Sequence, residues 1–177
     1  MQPRKAIIDT SVLISLYHLN FLSLLNLIYF QVKVPSRVEG EFLDKPTREY
    51  EKSLRFKYLT EFYNQNGSWF TKCNEYGSDL VQLYLTENID EGEAEVFAQN
   101  QSLGSIYELL LDEKKGRKIA ESKLIKHHGV LHILANFELR YKCCDYLKSV
   151  QKLKKETRDR FDSNIIAKVY EEVKKEI

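Results

Sequence analysis

Cysteine is scarce in this chain and badly placed for cross-linking. The three, Cys73, Cys143 and Cys144, are an odd number and two are adjacent. That excludes a disulfide framework and fits a reducing compartment. Long hydrophobic runs are absent as well. The oiliest segment, Leu19 to Phe30, is interrupted by Asn20, Ser23 and Asn26 and is too short to span a bilayer. It reads as a core helix. The first residues lack a signal-peptide pattern, so a cytoplasmic protein with no membrane association is expected. Seven glycines and three prolines form neither a glycine-rich phosphate loop nor a linker to a second domain. There is no internal repeat and no low-complexity tract. No Gly-x-Ser-x-Gly or Ser-His-Asp pattern points to acyl transfer. His128 and His132, four apart on an expected helix, lack a third ligand at telling spacing, and no Cys/His set suggests zinc.

An excess of charge of one sign is also missing. The formal net charge is +1, so composition alone does not announce a nucleic-acid binder. The halves nevertheless differ. Residues 1–100 hold 10 Lys and Arg against 14 Asp and Glu, a net of −4; residues 101–177 hold 17 against 12, a net of +5. An acidic cluster facing a basic half would suit a metal site beside a phosphate-binding surface. A solvated charged surface on the late helices would give the same count.

What is present is a soluble globular profile, 43% apolar and 30% charged, over 177 residues. That is enough for one domain with a real core and too little for two ordinary ones. The organising stretch is Lys5-Ala6-Ile7-Ile8-Asp9-Thr10-Ser11-Val12-Leu13-Ile14. An apolar run ends abruptly in Asp9, small hydroxyl residues follow, and apolar residues then resume. It reads as a buried strand, a polar turn and a helix. In open α/β sheets ligands sit in the crevice at the carboxyl ends of strands, which puts Asp9 at its mouth. Asp9 can equally be read as a plain helix N-cap.

Along the chain, Gln31 to Val34 is an expected strand stopped by Pro35, and Pro35-Ser36-Arg37 opens a helix. Glu41 shares a face of it with Val38 and Phe42, an uncommon place for a carboxylate. Lys45 to Asn66 reads as an amphipathic helix with Tyr50, Leu54, Tyr58 and Phe62 four apart. Ser68 to Cys73 is an expected strand and Asp79 to Leu85 a helix. Asp90 caps the next helix. At about 100° per residue, Glu93 turns toward Val96 and Phe97 on the packed face, Glu95 turns to solvent and Glu91 lies at the opposite margin. Ser105 to Leu111 is a second oily strand ending in acid, Asp112-Glu113, with the basic helix of Lys114, Lys115, Arg117 and Lys118 beyond. Leu124-Ile125 is a short last strand. From about Asp145, two basic amphipathic helices join near Phe161-Asp162-Ser163. Strands alternating with helices predict α/β architecture with a mainly parallel sheet, Ile7 and Ile8 in its central strand.

Asp9, Glu41, Glu93 and Asp112 thus come from four elements. Buried carboxylates without a partner are costly, so four converging acids call for a cation. Oxygen ligands favour Mg²⁺ or Mn²⁺, and such ions serve phosphodiester cleavage.

These stretches together resemble the PIN-domain nucleases and, within them, the VapC-type toxins of bacterial and archaeal toxin–antitoxin pairs. Ile7 to Ile14 is similar to the family's opening motif. Val34-Pro35-Ser36-Arg37-Val38-Glu39-Gly40-Glu41 resembles the second, and Asp90-Glu91-Gly92-Glu93-Ala94-Glu95 the Gly-Glu-Ala-Glu form of the third. Leu110 to Ala120 resembles the fourth, whose main acid falls on Asp112 or Glu113. Phe161-Asp162-Ser163 fits a C-terminal pattern of one subgroup. The resemblance implies a three-layer α/β/α sandwich, with residues 1–145 as the nuclease domain and 146–177 as a helical extension packed on it. It implies a metal-dependent endoribonuclease, the toxin of a pair, usually a homodimer inhibited by a small antitoxin. Catalysis then falls to Asp9, Glu41, Glu93 and Asp112, with Glu113 joining them at the Mg²⁺ or Mn²⁺ ion. Thr10 or Ser11 would orient a ligand or phosphate, and Lys114, Lys115 and Arg117 would contact the RNA backbone. Two alternatives stand beside it: a catalytically inactive PIN-like adaptor that binds RNA or protein, and a phosphatase or DNA nuclease using the same site.

Overall fold

The computed structural model describes residues 4–74, 76–157 and 161–177. Among the described residues there are five short strands: β1 (Lys5–Ile8), β2 (Gln31–Pro35), β3 (Phe70–Cys73), β4 (Glu108–Leu110) and β5 (His127–His128). They form one parallel sheet in the order β3-β2-β1-β4-β5. The middle strand is β1, where Ala6 pairs with Val32 on one side and with Glu108 on the other. Ala6, Ile7 and Ile8 are wholly buried. A strand covered on both faces has no reason to alternate, which is why it reads as a continuous apolar run.

The helices are α1 (Thr10–Leu19), α2 (Ser36–Asp44), α3 (Glu49–Asn66), α4 (Ser78–Leu85), α5 (Glu91–Ser102), α6 (Lys114–Ser122), α7 (Val130–Leu139), α8 (Tyr146–Thr157) and α9 (Ser163–Lys175), with a 3-10 turn at Leu22–Leu27. The chain steps from β1 to β2 to β3 in one direction and reaches β4 and β5 in the other. Right-handed crossovers then put α1 and α3 over one face of the sheet and α5 and α6 over the opposite face. Consistent with this, α5 contacts β1, β2 and β4 with α4 against it, while α1, α7, α8 and α9 pack among themselves. The result is a three-layer α/β/α sandwich. The late helices join the common core through Val150, Leu153, Ile166 and Val173. The Tyr146 hydroxyl donates to the Ile166 carbonyl (2.9 Å) and ties α8 to α9. Among the described residues no helix is long and apolar enough to cross a membrane.

Five local expectations are corrected. The last strand is not Leu124-Ile125. Leu124 is 94% exposed and left-handed (φ 55°), the Ile125 amide closes a turn onto the Ala120 carbonyl, and pairing with β4 begins only at His127. His128 therefore lies in a strand, not on a helix with His132. The helix expected from Lys45 starts at Glu49, because Lys45 still closes α2, its amide donating to the Glu41 carbonyl (3.0 Å). Its four-residue stripe is also incomplete. A step of four drifts by about 40° per repeat, so Tyr50 and Leu54 are exposed and only Phe62 is buried. Within the stretch 105–111 only Glu108–Leu110 forms a ladder, since Gly104 and Ser105 are left-handed and turn the chain first. Of the expected helix junction, residues 158–160 lie outside the described residues.

Candidate active site

Because the chain leaves β1 toward one side of the sheet and leaves β4 toward the other, the loops after these neighbouring strands diverge. A crevice opens at their carboxyl ends. Asp9 and Asp112 are the residues the sequence places there. The Asp9 amide still donates to the Leu110 carbonyl (3.0 Å), holding the end of β1 against β4. The Asp9 side chain caps α1: one oxygen accepts from the Ser11 amide (3.2 Å) and the Ser11 hydroxyl (2.6 Å). Only 4% of the residue is exposed. Burial pushes its pKa up to about 6, although the Ser11 bonds pull the other way.

Helix α5 supplies the second buried acid. Asp90 caps it by accepting from the Glu93 amide (2.8 Å), and this sets the helical phase that turns Glu93 inward. Glu93 is 4% exposed, and its Oε1 is buried without a hydrogen-bond partner. Burial first, then the charges of Asp9, Asp90 and Glu113, push its pKa up to about 7. Oε1 rests against Gly116 in the first turn of α6, where any side chain would collide with it.

Glu41 and Asp112 are each held by specific donors. The Thr10 hydroxyl donates to Glu41 Oε2 (2.7 Å), Arg37 Nε stands 3.5 Å from Oε1, and the carboxylate lies on Gly92 of α5. Asp112 Oδ1 accepts from the Val130 amide (2.9 Å) at the start of α7, seated against Gly129. Its neighbour Glu113 is exposed at the N-cap of α6 and makes no capping bond.

The anticipated substrate contacts divide. Thr10 and Ser11 spend their hydroxyls on Glu41 and Asp9, so each orients an acid. Lys115 reaches across to the Asn88 carbonyl (3.1 Å). Lys114 and Arg117 line a cavity of about 300 Å³ together with Asp112. Among the described residues, no three His, Cys, Asp or Glu side chains already form a group that could hold a metal ion.

Arg37 and Glu95 carry roles that local sequence did not suggest. Arg37 Nη2 pairs with Glu91 (2.7 Å) while its Nε faces Glu41, so it joins α2 to α5 at the crevice. Glu95 does not point to solvent. It is half-buried, its Oε2 accepts from the Arg37 amide (2.8 Å), and the Tyr76 hydroxyl donates to it. Its phase does turn it away from the sheet, but the unsatisfied first-turn amides of α2 lie there. Glu95→Ala is expected to cost about 1–2 kcal/mol by chemical denaturation. Glu95→Gln, which keeps an acceptor, should cost less than half of that. Equal losses would show that the acceptor oxygen is not what holds α2.

Of the two histidines, His132 also borders the cavity beside Asp112. The His128 and His132 rings stack at 3.8 Å beside a cavity of about 1030 Å³ toward the amino ends of β1 and β4. Burial lowers their pKa values to about 3 and about 4. The nearby carboxylate, Glu108, is engaged by Arg4 (2.7 Å) and Lys126 (2.8 Å).

The fold and site define a class: a parallel α/β protein with carboxylates at the carboxyl ends of its central strands. A family model described as PIN domain matches residues 5–175, and the chain belongs to that family. PIN domains are generally nucleases, so the fold is one built for hydrolysis of nucleic acid. Comparison with curated proteins brings no match.

Proposed function

We propose that the protein is a Mg²⁺- or Mn²⁺-dependent endoribonuclease, and that it is the toxin of a toxin–antitoxin pair, a cytoplasmic homodimer restrained by a small antitoxin. The observation that carries the nuclease reading is the unpartnered, buried Oε1 of Glu93, close enough to Asp9 for the two charges to repel. An orphaned carboxylate oxygen beside a second buried carboxylate fits a hard cation in donor chemistry. Asp9, Glu93, Glu41 and Asp112 would hold that cation, with Glu113 at the rim. When bound it supplies activation of a water and neutralises charge on the phosphodiester. Ser11 and Thr10 keep Asp9 and Glu41 in fixed orientation, and Lys114 and Arg117 receive the backbone phosphates. The toxin, dimer and antitoxin parts rest on the motif resemblance alone.

The test is incubation of the purified protein with single-stranded and structured RNA, and with DNA of the same sequences, with Mn²⁺, with Mg²⁺ and with EDTA. Internal cleavage of RNA that EDTA abolishes is expected. Binding without cleavage under every condition would replace the nuclease by the adaptor reading. One observation favours that alternative: Arg37 Nε stands 3.5 Å from Glu41 Oε1, where it competes with a cation for that carboxylate.

A further inference from the structure

The cavity of about 300 Å³ next to Asp112 has a mixed lining. Lys114 and Arg117 line it together with the carboxylates Asp112 and Glu113, and Phe161, Ile165 and Val169 line it from the α9 side. Helix α9 does not need Ile165 for docking. Asp162 caps it by accepting from the Asn164 amide (2.7 Å), and Ile166 and Val173 bury its inner face. Ile165 is left 43% exposed on the cavity wall.

We propose that this cavity is a base-binding subsite for one nucleotide of single-stranded RNA. Its phosphate lies at Lys114 and Arg117, and its base on Phe161, Ile165 and Val169. The inference rests on the nuclease reading of the neighbouring acids and extends it to the substrate. Two cations and an apolar surface on one cavity offer partners for both the phosphate and the base of a nucleotide, with Asp112 and Glu113 on the same lining, shared with the proposed cation site. A volume near the low end of the usual range for small-molecule sites, about 300–1,000 Å³, suits one nucleotide and not a partner helix. A base can enter such a cavity only when unpaired, as in the single strands and loops where RNA sequence is read. The C-terminal helix thereby becomes part of the substrate site.

The experiment measures binding by fluorescence anisotropy, with every protein carrying Asp9→Asn to limit turnover. The ligands are a short labelled single-stranded RNA and the same chain with one abasic position moved along it. Removing the base at one position is expected to weaken binding about tenfold, the size of one lost stacking contact. Ile165→Ser is expected to weaken binding of the intact RNA by a similar factor while leaving the abasic chain unaffected. Phe161→Leu, which keeps an apolar side chain, should fall between. Independent, additive effects of Ile165→Ser and base removal would overturn the subsite. Unchanged affinity for intact RNA in Ile165→Ser would also overturn it, and so would failure of the protein to bind single-stranded RNA. A parallel cleavage assay on the unmodified chain separates the two readings. Cleavage without coupling removes the subsite and keeps the nuclease; coupling without cleavage under any cation does the reverse.

Discussion

Asp9→Asn is expected to reduce RNA cleavage on the order of a hundredfold to a thousandfold while raising the melting temperature of the metal-free protein. The two effects have one cause. Asn caps a helix about as well as Asp, and its carbonyl oxygen can still accept from the Ser11 hydroxyl, now bonded to Asp9 at 2.6 Å. What the substitution removes is a buried charge. A carboxyl raised from 3.8 to about 6 weakens the folded state by about 3 kcal/mol once it is ionised. Bonds to a neutral acceptor are weaker than bonds to a carboxylate, so the net gain at pH 8 is about 1–2 kcal/mol, roughly 2–8 °C for a chain of this size. A residue that served only as a buried cap would give the rise in melting temperature without the loss of cleavage, so cleavage is the reading that decides. The control is Glu61→Gln, because Glu61 is exposed on α3 and lies in a loose ion pair with Lys57. Glu95 cannot serve, since it binds the Arg37 amide. Equal cleavage by Asp9→Asn and the unmodified chain, with RNA binding demonstrated, would remove the nuclease reading.

Asp9 and Glu93 were legible because what places them is local. An apolar run buried on both faces must end where it meets the crevice, and the acid that ends β1 is Asp9. The cap at Asp90 fixes the phase of α5, and three residues of helical rotation bring Glu93 to the sheet. The central position of β1 followed from the same burial. Arg37 and Glu95 were not legible, because their partners belong to a helix far away in sequence. Nothing in Asp90 to Ala98 says that the first amides of α2 will lie beside Glu95. The seats of Glu93 and Asp112 against Gly116 and Gly129 have the same origin, a close approach between elements. At β5 the local signal misled. Leu124 and Ile125 are the apolar residues, but a two-residue strand is defined by what β4 offers it, and the partners of Leu109 and Leu110 are His127 and His128.

Glu93→Gln is expected to become more stable than the unmodified chain as the pH rises from about 4.5 to about 7, with EDTA present. The sign follows from the raised pKa. Between the unfolded value of 4.5 and the folded value of about 7, the native state holds a proton that the unfolded state has released. Stability contributed by this group therefore falls through that window and is lowest above it. Gln resembles the protonated carboxyl and does not titrate, so the gap between the two proteins opens to about 3 kcal/mol. Only the difference carries the test. His128 and His132, lowered to about 3 and about 4, add stability over much of the same range as the pH rises, in both proteins alike. Adding Mn²⁺ at pH 8 should then close the gap from the other side. A cation at a hundred times its dissociation constant stabilises the native state by about 2.7 kcal/mol, and the variant lacks one of the carboxylates proposed to hold it. At pH 5, where the Glu93 carboxyl is protonated, the cation competes with a proton and the response should shrink. Thermal melts of both proteins across pH, with EDTA and with Mn²⁺, give all of these readings. A gap that stays flat with pH would show that burial and the neighbouring acids do not raise the Glu93 carboxyl, and an equal response to Mn²⁺ in both proteins would take Glu93 out of the cation site.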